Sequence, residues 1–253
     1  MEQYFWQEPP ADVAIYSRQV HVWRVWMNIQ DDLVGELNLE LSADEKEKAA
    51  QFRRDGDKVR YVTAHARMRE ILSKYLDIPP EEIAFAYKRY GKPELEPTIN
   101  PSGLSFNLSH SEAVALLAVS DGFEVGVDVE QVKRNAATEE IARRFFSPRE
   151  IEMLISQPEN LHAKAFFRCW TLKEAYIKAR GEGMSIPLHE FEVDFLSESQ
   201  PKILDVDGDE EGLTHWSLFH LEPMVDYVAA LAVGGHPVEM KTYSCWGWPR
   251  ARH

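Results

Sequence analysis

The chain has 253 residues, 28 Lys and Arg against 42 Asp and Glu, a formal charge of −14, and 44% hydrophobic residues. That length fits one large domain or two small ones, and the apolar content excludes wholesale disorder. The acidic balance argues against general binding to nucleic acid or to an anionic membrane, because both would repel it.

In chain order, Met1–Pro10 has neither the basic start nor the apolar run of a signal peptide. Val20–Trp26 is rich in β-branched and aromatic residues and predicts a strand. Ser42-Ala43-Asp44-Glu45 follows, with Ser as N-cap and Glu three places on, as in a capping box. Val59, Val62, Ala66, Ile71, Leu72, Tyr75 and Leu76 give one face of a long helix. Ile83–Tyr87 reads as extended, and Leu104–Leu108 with Ala113–Val119 as a hairpin-like pair. The stretch Ala113–Val119 is the longest apolar one, and seven residues are too few to span a bilayer. The same order then recurs. Val125–Glu130 is a strand, Ser147-Pro148-Arg149-Glu150 a helix start, His162–Ala179 a long helix ending before Gly181 and Gly183. Phe191–Phe195 reads as extended, and His215–Leu221 with Tyr227–Val233 as a second pair. The two capped starts lie 105 residues apart, and Ala115–Val119 matches Ala229–Val233 at four of five letters, 114 residues apart. The expected fold is α+β, a pseudo-dimer of two similar halves, each a small antiparallel sheet on a long helix. The expected boundary is the turn-like Ser120-Asp121-Gly122, giving halves 1–121 and 122–253 with a ligand cleft between them.

Several residues carry chemistry. Asp128 and Glu130 lie two apart in a strand and so share a face. They are either the solvated side of an edge strand or a pair that needs a hard cation to offset its repulsion. Glu174 and Lys178, on the second long helix, also share a face. They are an ordinary ion pair, or a third carboxylate with a phosphate-binding ammonium. Ser109 and His110 are adjacent, so their side chains diverge and do not form a nucleophilic dyad with each other. A strand end of this kind suits phosphate oxygens. From Lys46 to Arg69, eight cations stand against three acids, a net of +5 within an acidic protein. That run is a solvated helix face or a site for a multiply phosphorylated small molecule, and Lys92 in Tyr90-Gly91-Lys92-Pro93 adds a turn-borne cation. Gly181-Glu182-Gly183 lacks the third glycine of a dinucleotide fingerprint, and Asp205–Glu211 lacks EF-hand spacing. Cys169 and Cys245 are too few for a disulfide scaffold or an all-cysteine zinc site and suit a reducing cytoplasm.

Tyr90–Pro93, Phe106–Ser111, Gly126–Glu130, Arg144–Ser147 and Trp170–Lys178 with Gly181 occur in one order over Ser42–Phe195. Together they resemble the 4′-phosphopantetheinyl transferases of the surfactin-synthetase-activating type. The resemblance implies a pseudo-dimeric fold. It also implies transfer of the phosphopantetheine arm of coenzyme A to a serine of an apo acyl, peptidyl or polyketide carrier protein, with release of 3′,5′-ADP. By position, Asp128, Glu130 and Glu174 would hold Mg2+ (or Mn2+), with Glu174 also the general base and Lys178 neutralising the diphosphate. Ser109, His110 and Lys92 would meet coenzyme A. Lys48 and Arg60, with Arg53 in the same run, are the expected cations for its 3′-phosphate, though Glu45 stands where another cation was expected. Rival readings are a metal-dependent phosphodiesterase using water, and a non-catalytic coenzyme A or nucleotide-binding module. The expectation is a cytoplasmic monomer that contacts neither nucleic acid nor membrane. Residues 1–40 and the tail with Trp246, Trp248 and Arg250 match no motif.

Overall fold

The computed structural model describes residues 5–29, 31–133, 138–197, 199, 201–206, 210–235 and 238–245. The elements in chain order are β1 (Gln19–Trp26), α1 (Asp31–Leu37), α2 (Ala43–Ala50), α3 (Asp55–Leu76), β2 (Phe85–Tyr87), β3 (Pro93–Leu95), β4 (Ser105–Ser111) and β5 (Val114–Ser120). They continue with β6 (Val125–Gln131), α4 (Thr138–Phe145), α5 (Pro148–Ile155), α6 (His162–Arg180), β7 (Phe191–Val193), β8 (Ile203–Val206), α7 (Glu210–His215), β9 (Trp216–Leu221), β10 (Tyr227–Gly234) and β11 (Glu239–Cys245). The fold is mixed α+β.

One sheet has the order β11-β1-β5-β4 and another β6-β10-β9, with β2-β3 and β7-β8 as separate hairpins. The alternation seen in the sequence sorts each strand's two faces. Val20, Val22, Val114, Leu116 and Ala118 of the first sheet pack against Val125, Val127, Val129, Ala229, Leu231 and Val233 of the second. The opposite face of the first sheet, with Trp23, Val25, Ala115, Leu117 and Val119, packs on Ala64, Met68, Ile71 and Leu72 of α3. The opposite face of the second, with Ala230 and Ala232, packs on Cys169, Leu172, Ala175 and Tyr176 of α6. The layers therefore run α3, sheet, sheet, α6. Each fully buried aliphatic side chain contributes about 1.5–3 kcal/mol to holding them together.

Both predicted capping boxes form. Ser42 Oγ accepts from Glu45 N–H while the Glu45 carboxylate takes Ser42 N–H, and Ser147 and Glu150 repeat the exchange at the start of α5. Helix α6 stops at Gly181, which adopts φ 70° and donates its N–H to Ile177 O. The boundary turn lies between β5 and β6, with Gly122 at φ 81°. Strand β11 runs back from the far side of that boundary to pair parallel with β1, from Gln19 opposite Glu239 to Val25 opposite Cys245, so the first sheet is mixed. Its outer edge is covered in turn where Gln7 exchanges backbone bonds with Thr242 and Ser244.

The structure refines the sequence reading at two places. The strand expected to end at Leu108 continues to Ser111, so Ser109 and His110 lie within β4. The basic run is two helices, α2 and α3, broken near Gln51–Arg54. Residues 207–209 of the acidic stretch, and Trp246, Trp248 and Arg250, lie outside the described residues. Among the described residues, no helix is long and apolar enough to cross a membrane.

Candidate active site

The site begins with a glycine. Alternation in β6 turns Val125, Val127 and Val129 into the core between the sheets and Gly126, Asp128 and Glu130 toward α6. A Cβ on Gly126 would stand 2.1 Å from Ala175 O and 2.3 Å from Ala179 N. Only a glycine lets the helix backbone ride this close on the strand. Glu174 and Lys178, on the turn of α6 that crosses Gly126, are thereby brought to Asp128 and Glu130.

Strand β4 closes the other side. Asn107, Ser109 and Ser111 share one face by period two. Asn107 Oδ1 accepts from Val127 N–H at 2.8 Å, Ser109 Oγ donates to Asp128 Oδ1 at 2.8 Å, and Ser111 Oγ donates to Glu130 Oε2 at 2.7 Å. Lys178 Nζ donates to Asp128 Oδ1 at 2.6 Å and to Ser109 Oγ at 2.9 Å. The i,i+4 partner Glu174 is thus not the residue Lys178 bonds.

Burial pushes the Glu174 carboxyl above its ordinary range, and the charges of Asp128 and Glu130 push it further, against the pull of Lys178. Burial likewise raises Glu130, helped by Asp128 and opposed by the Ser111 hydrogen bond and the charges of Lys178 and Lys133. Asp128 is 4% exposed, and its Oδ2 is buried without a hydrogen-bond partner. These are hard oxygen donors that repel one another, one with an unsatisfied lone-pair atom, and their chemistry fits a divalent cation such as Mg2+. Among the described residues, no three His, Cys, Asp or Glu side chains stand ready-made to hold a metal. The Lys178 ammonium supplies the nearest positive charge to Asp128.

A cationic group lies alongside. His110 is exposed on β4, and its pKa is lowered by desolvation and by the charges of His65, Lys178 and Arg60. His65 stacks on Tyr61 with ring centroids 4.1 Å apart, and Lys48 Nζ lies 5.4 Å from the same Tyr61 ring. Arg60 is held by Asp57. Arg53 is exposed. Glu45, the unexpected acid, has a structural task. Its carboxylate closes the α2 cap and receives Arg69 Nε at 2.7 Å, with His65 Nδ1 at 2.9 Å.

Lys92 is drawn inward. Its ammonium donates to Val125 O and Ala179 O, both at 3.0 Å, joining the Tyr90–Pro93 turn to β6 and to the end of α6. Burial, then the charge of Lys88, brings its pKa down to about 8 despite Glu94 and Glu124. A cavity of about 610 Å³ opens beside it. Its walls are the Tyr90–Pro93 turn, Arg144 and Phe145 at the end of α4, the Trp170, Glu174, Ile177 and Lys178 side of α6, and residues 186–189. Along α6, Glu174 and Lys178 fall between Gly181, close to Lys92, and Trp170, which meets Phe145 edge-on in the more apolar part of the lining beside Arg144.

The sequence reading did not place Asn107, Ser111, His65, Arg144, Phe145 or Trp170 in the site. Asn107 and Ser111 were signalled by their period-two spacing from Ser109. Arg144, Phe145 and Trp170 lie in two of the segments that carry the resemblance, whereas His65 comes close only through the fold.

Comparison with known proteins places the chain in a family. Residues 124–232 match the family model of the 4′-phosphopantetheinyl transferase superfamily, and residues 24–121 match that of the 4′-phosphopantetheinyl transferase N-terminal region. The chain is 37% identical over 235 residues to 4′-phosphopantetheinyl transferase HetI of Nostoc sp., covering 93% of this chain and 96% of that protein. It is 32% identical over 209 residues to a 4′-phosphopantetheinyl transferase of Bacillus subtilis, covering 80% and 88%. It is 31% identical over 163 residues to 4′-phosphopantetheinyl transferase Sfp of Bacillus subtilis strain 168, covering 64% and 70%. The chain belongs to the 4′-phosphopantetheinyl transferase superfamily and is a transferase enzyme that moves phosphopantetheine from coenzyme A to carrier proteins.

Proposed function

We propose that the reaction takes place where β4, β6 and α6 meet, with Glu174 as general base and Lys178 as the cation for the breaking diphosphate. The observation that carries this is the knot of Ser109, Asp128 and Lys178 beside Glu174, on the cavity wall. A serine of the apo carrier, whether acyl, peptidyl or polyketide, attacks the pantetheine-side phosphorus of coenzyme A. Glu174 accepts the serine proton, directly or through water, and its raised affinity for protons suits that task. The new P–O bond forms as the bond to the leaving phosphate breaks, and 3′,5′-ADP departs with the bonding electrons. Lys178 offsets the charge that develops there. Asp128, Glu130 and Glu174 would hold Mg2+ or Mn2+, which when bound offsets the diphosphate charge and polarises the phosphorus.

Ser109 and His110 meet the coenzyme's phosphates, and Lys48 and Arg60, with Arg53 at the margin, serve its 3′-phosphate. Lys92 places the turn at the nucleotide end by fixing its backbone. The pantetheine arm lies in the more apolar part of the cavity, along Phe145, Trp170 and Leu188. Residues 1–121 and 122–253 form two related halves, a pseudo-dimer with the site in the cleft between them. Their sheets share one plan, since the order β1-β5-β4 is repeated as β6-β10-β9. One chain therefore suffices, as a cytoplasmic monomer without nucleic-acid or membrane contacts.

The test mixes the protein with coenzyme A, Mg2+ and several apo carriers and weighs the carriers. Phosphopantetheine addition that stops on chelation and returns with Mg2+ is the expected result. Consumption of coenzyme A without any carrier gain would instead support hydrolysis by water.

A further inference from the structure

The two capping-box glutamates each anchor the same device. Glu45 Oε2 receives Arg69 Nε of α3 at 2.7 Å, and Glu150 Oε1 receives Lys173 Nζ of α6 at 2.8 Å. Each cation passes on to two carbonyls of the turn that enters the next hairpin. Arg69 Nη1 donates to Pro80 O and Ile83 O, both at 2.9 Å, and Lys173 Nζ donates to Leu188 O at 2.7 Å and to Phe191 O. Each also lies over an aromatic ring, Arg69 5.0 Å from Phe85 and Lys173 4.3 Å from Phe191.

The difference lies in what the held turn does. The turn gripped by Arg69 does not line the cavity, whereas the turn gripped by Lys173 forms its wall at Ile186, Pro187, Leu188 and His189. Lys173 is 0% exposed, and an ammonium has three protons, all taken here by Glu150, Leu188 and Phe191. Replacing a buried ion pair by apolar groups is often neutral for stability, so stability alone does not account for a device this polar. Lys173 also directly precedes Glu174. Neighbouring helix residues diverge, so Lys173 grips the wall from behind while Glu174 enters the cavity.

We propose that Lys173 is a positioning residue that fixes the gap between the 186–189 wall and the Trp170–Glu174–Ile177 side of α6. It thereby sets the fit of the pantetheine arm without touching it. This rests on the reading that the arm lies in the more apolar part of the cavity.

The test compares the dissociation constants of coenzyme A and 3′,5′-ADP by calorimetry, since the second ligand lacks the arm together with the phosphate that carries it, and for Lys173 only the change in their ratio between wild type and variants is read. Lys173→Met leaves the Glu150 carboxylate buried and unpaired, so Lys173→Met with Glu150→Gln is measured beside it, with folding checked by circular dichroism. Glu150 takes the Ser147 and Val193 N–H groups on different oxygens, so Gln keeps an acceptor for one of them and turns its amide N–H2 toward the other, which is why folding is checked for both variants. The expected result is coenzyme A binding weakened about tenfold with 3′,5′-ADP binding held within about twofold. The matching first-half pair, Arg69→Met with Glu45→Gln, should leave the ratio of the two constants unchanged. Equal weakening of both ligands by the Lys173 variants would mean ordinary loss of structure and would overturn the assignment. A wild-type protein that binds coenzyme A no more tightly than 3′,5′-ADP would instead remove the arm from the cavity, and the clamp with it.

Discussion

Gly126→Ala adds one methyl group where the structure has no room for it. The new Cβ would lie 2.1 Å from Ala175 O, whereas ordinary contact begins near 3.4 Å. Both obstacles are helix backbone, so no side chain can rotate away. Helix α6 must retreat from β6 by about 1 Å to restore normal contact distances. Two costs follow. Overpacking of this kind costs about 3 kcal/mol, the upper end for one added carbon in a closed core. For a chain of this size that lowers Tm by about 6–12 °C. The second cost is geometric. Asp128 stays on the strand while Glu174 and Lys178 move with the helix, so the 2.6 Å bond from Lys178 to Asp128 is stretched or lost. A displacement near 1 Å among reacting groups lowers turnover about a hundredfold. Thermal unfolding gives the first number, and the mass of the carrier after timed incubation gives the second. A variant with Tm within about 2 °C of wild type and turnover within about twofold would refute the claim that close approach at Gly126 builds the site.

Three further outcomes are expected. Glu174→Gln should lower transfer at least about a hundredfold while Tm holds or rises, because the amide removes a carboxyl that burial and two neighbouring acids disfavour; carrier mass and thermal unfolding check this, and retained turnover strips Glu174 of its role as base. Burial raises the Glu45 carboxyl, but the His65 and Ser42 hydrogen bonds and the Arg69 charge outweigh it and bring its pKa from 4.5 down to about 2. Its contribution, about 3 kcal/mol, is therefore complete above pH 4.5 and fades as pH falls toward 2; urea unfolding of wild type and Glu45→Gln should differ most near neutral pH and converge in acid, and a constant difference contradicts the assignment. Lys92→Met forfeits two carbonyl bonds and should cost about 2 kcal/mol in urea unfolding, with a higher KM for coenzyme A; no loss of stability would mean that the lysine does not join the turn to α6.

Much of this was legible in the sequence because it depends on local rules. Period two placed Asp128 and Glu130 on one face, and helical spacing placed Glu174 with Lys178. The Ser-to-Glu spacing marked both capping boxes. What could not be read depends on contacts between distant segments. The place of β11 beside β1 is decided by the free edge of another sheet, and a short apolar strand carries no mark of its partner. The bond from Lys178 to Asp128, in place of the local Glu174, follows from how near Gly126 lets the helix come. Lys92 read as a cation for a ligand because its carbonyl partners belong to β6 and α6, far along the chain. Glu45 seemed out of place among cations until Arg69 and His65 were seen to meet on it.

The return of β11 to the first sheet bears on how the chain folds as it is made. When β1, β5 and β4 have left the ribosome, β1 still shows one bare edge and α3 packs over an unfinished sheet. The strand that fills this edge, β11, emerges only after every strand of the second sheet. The early part of the chain therefore carries an exposed edge through most of synthesis, the kind of edge that pairs with other chains. The first sheet cannot be completed during synthesis until β11 has emerged. An early strand and a late one must meet before the first sheet is complete, which makes the joining of β1 with β11 a late, long-range step.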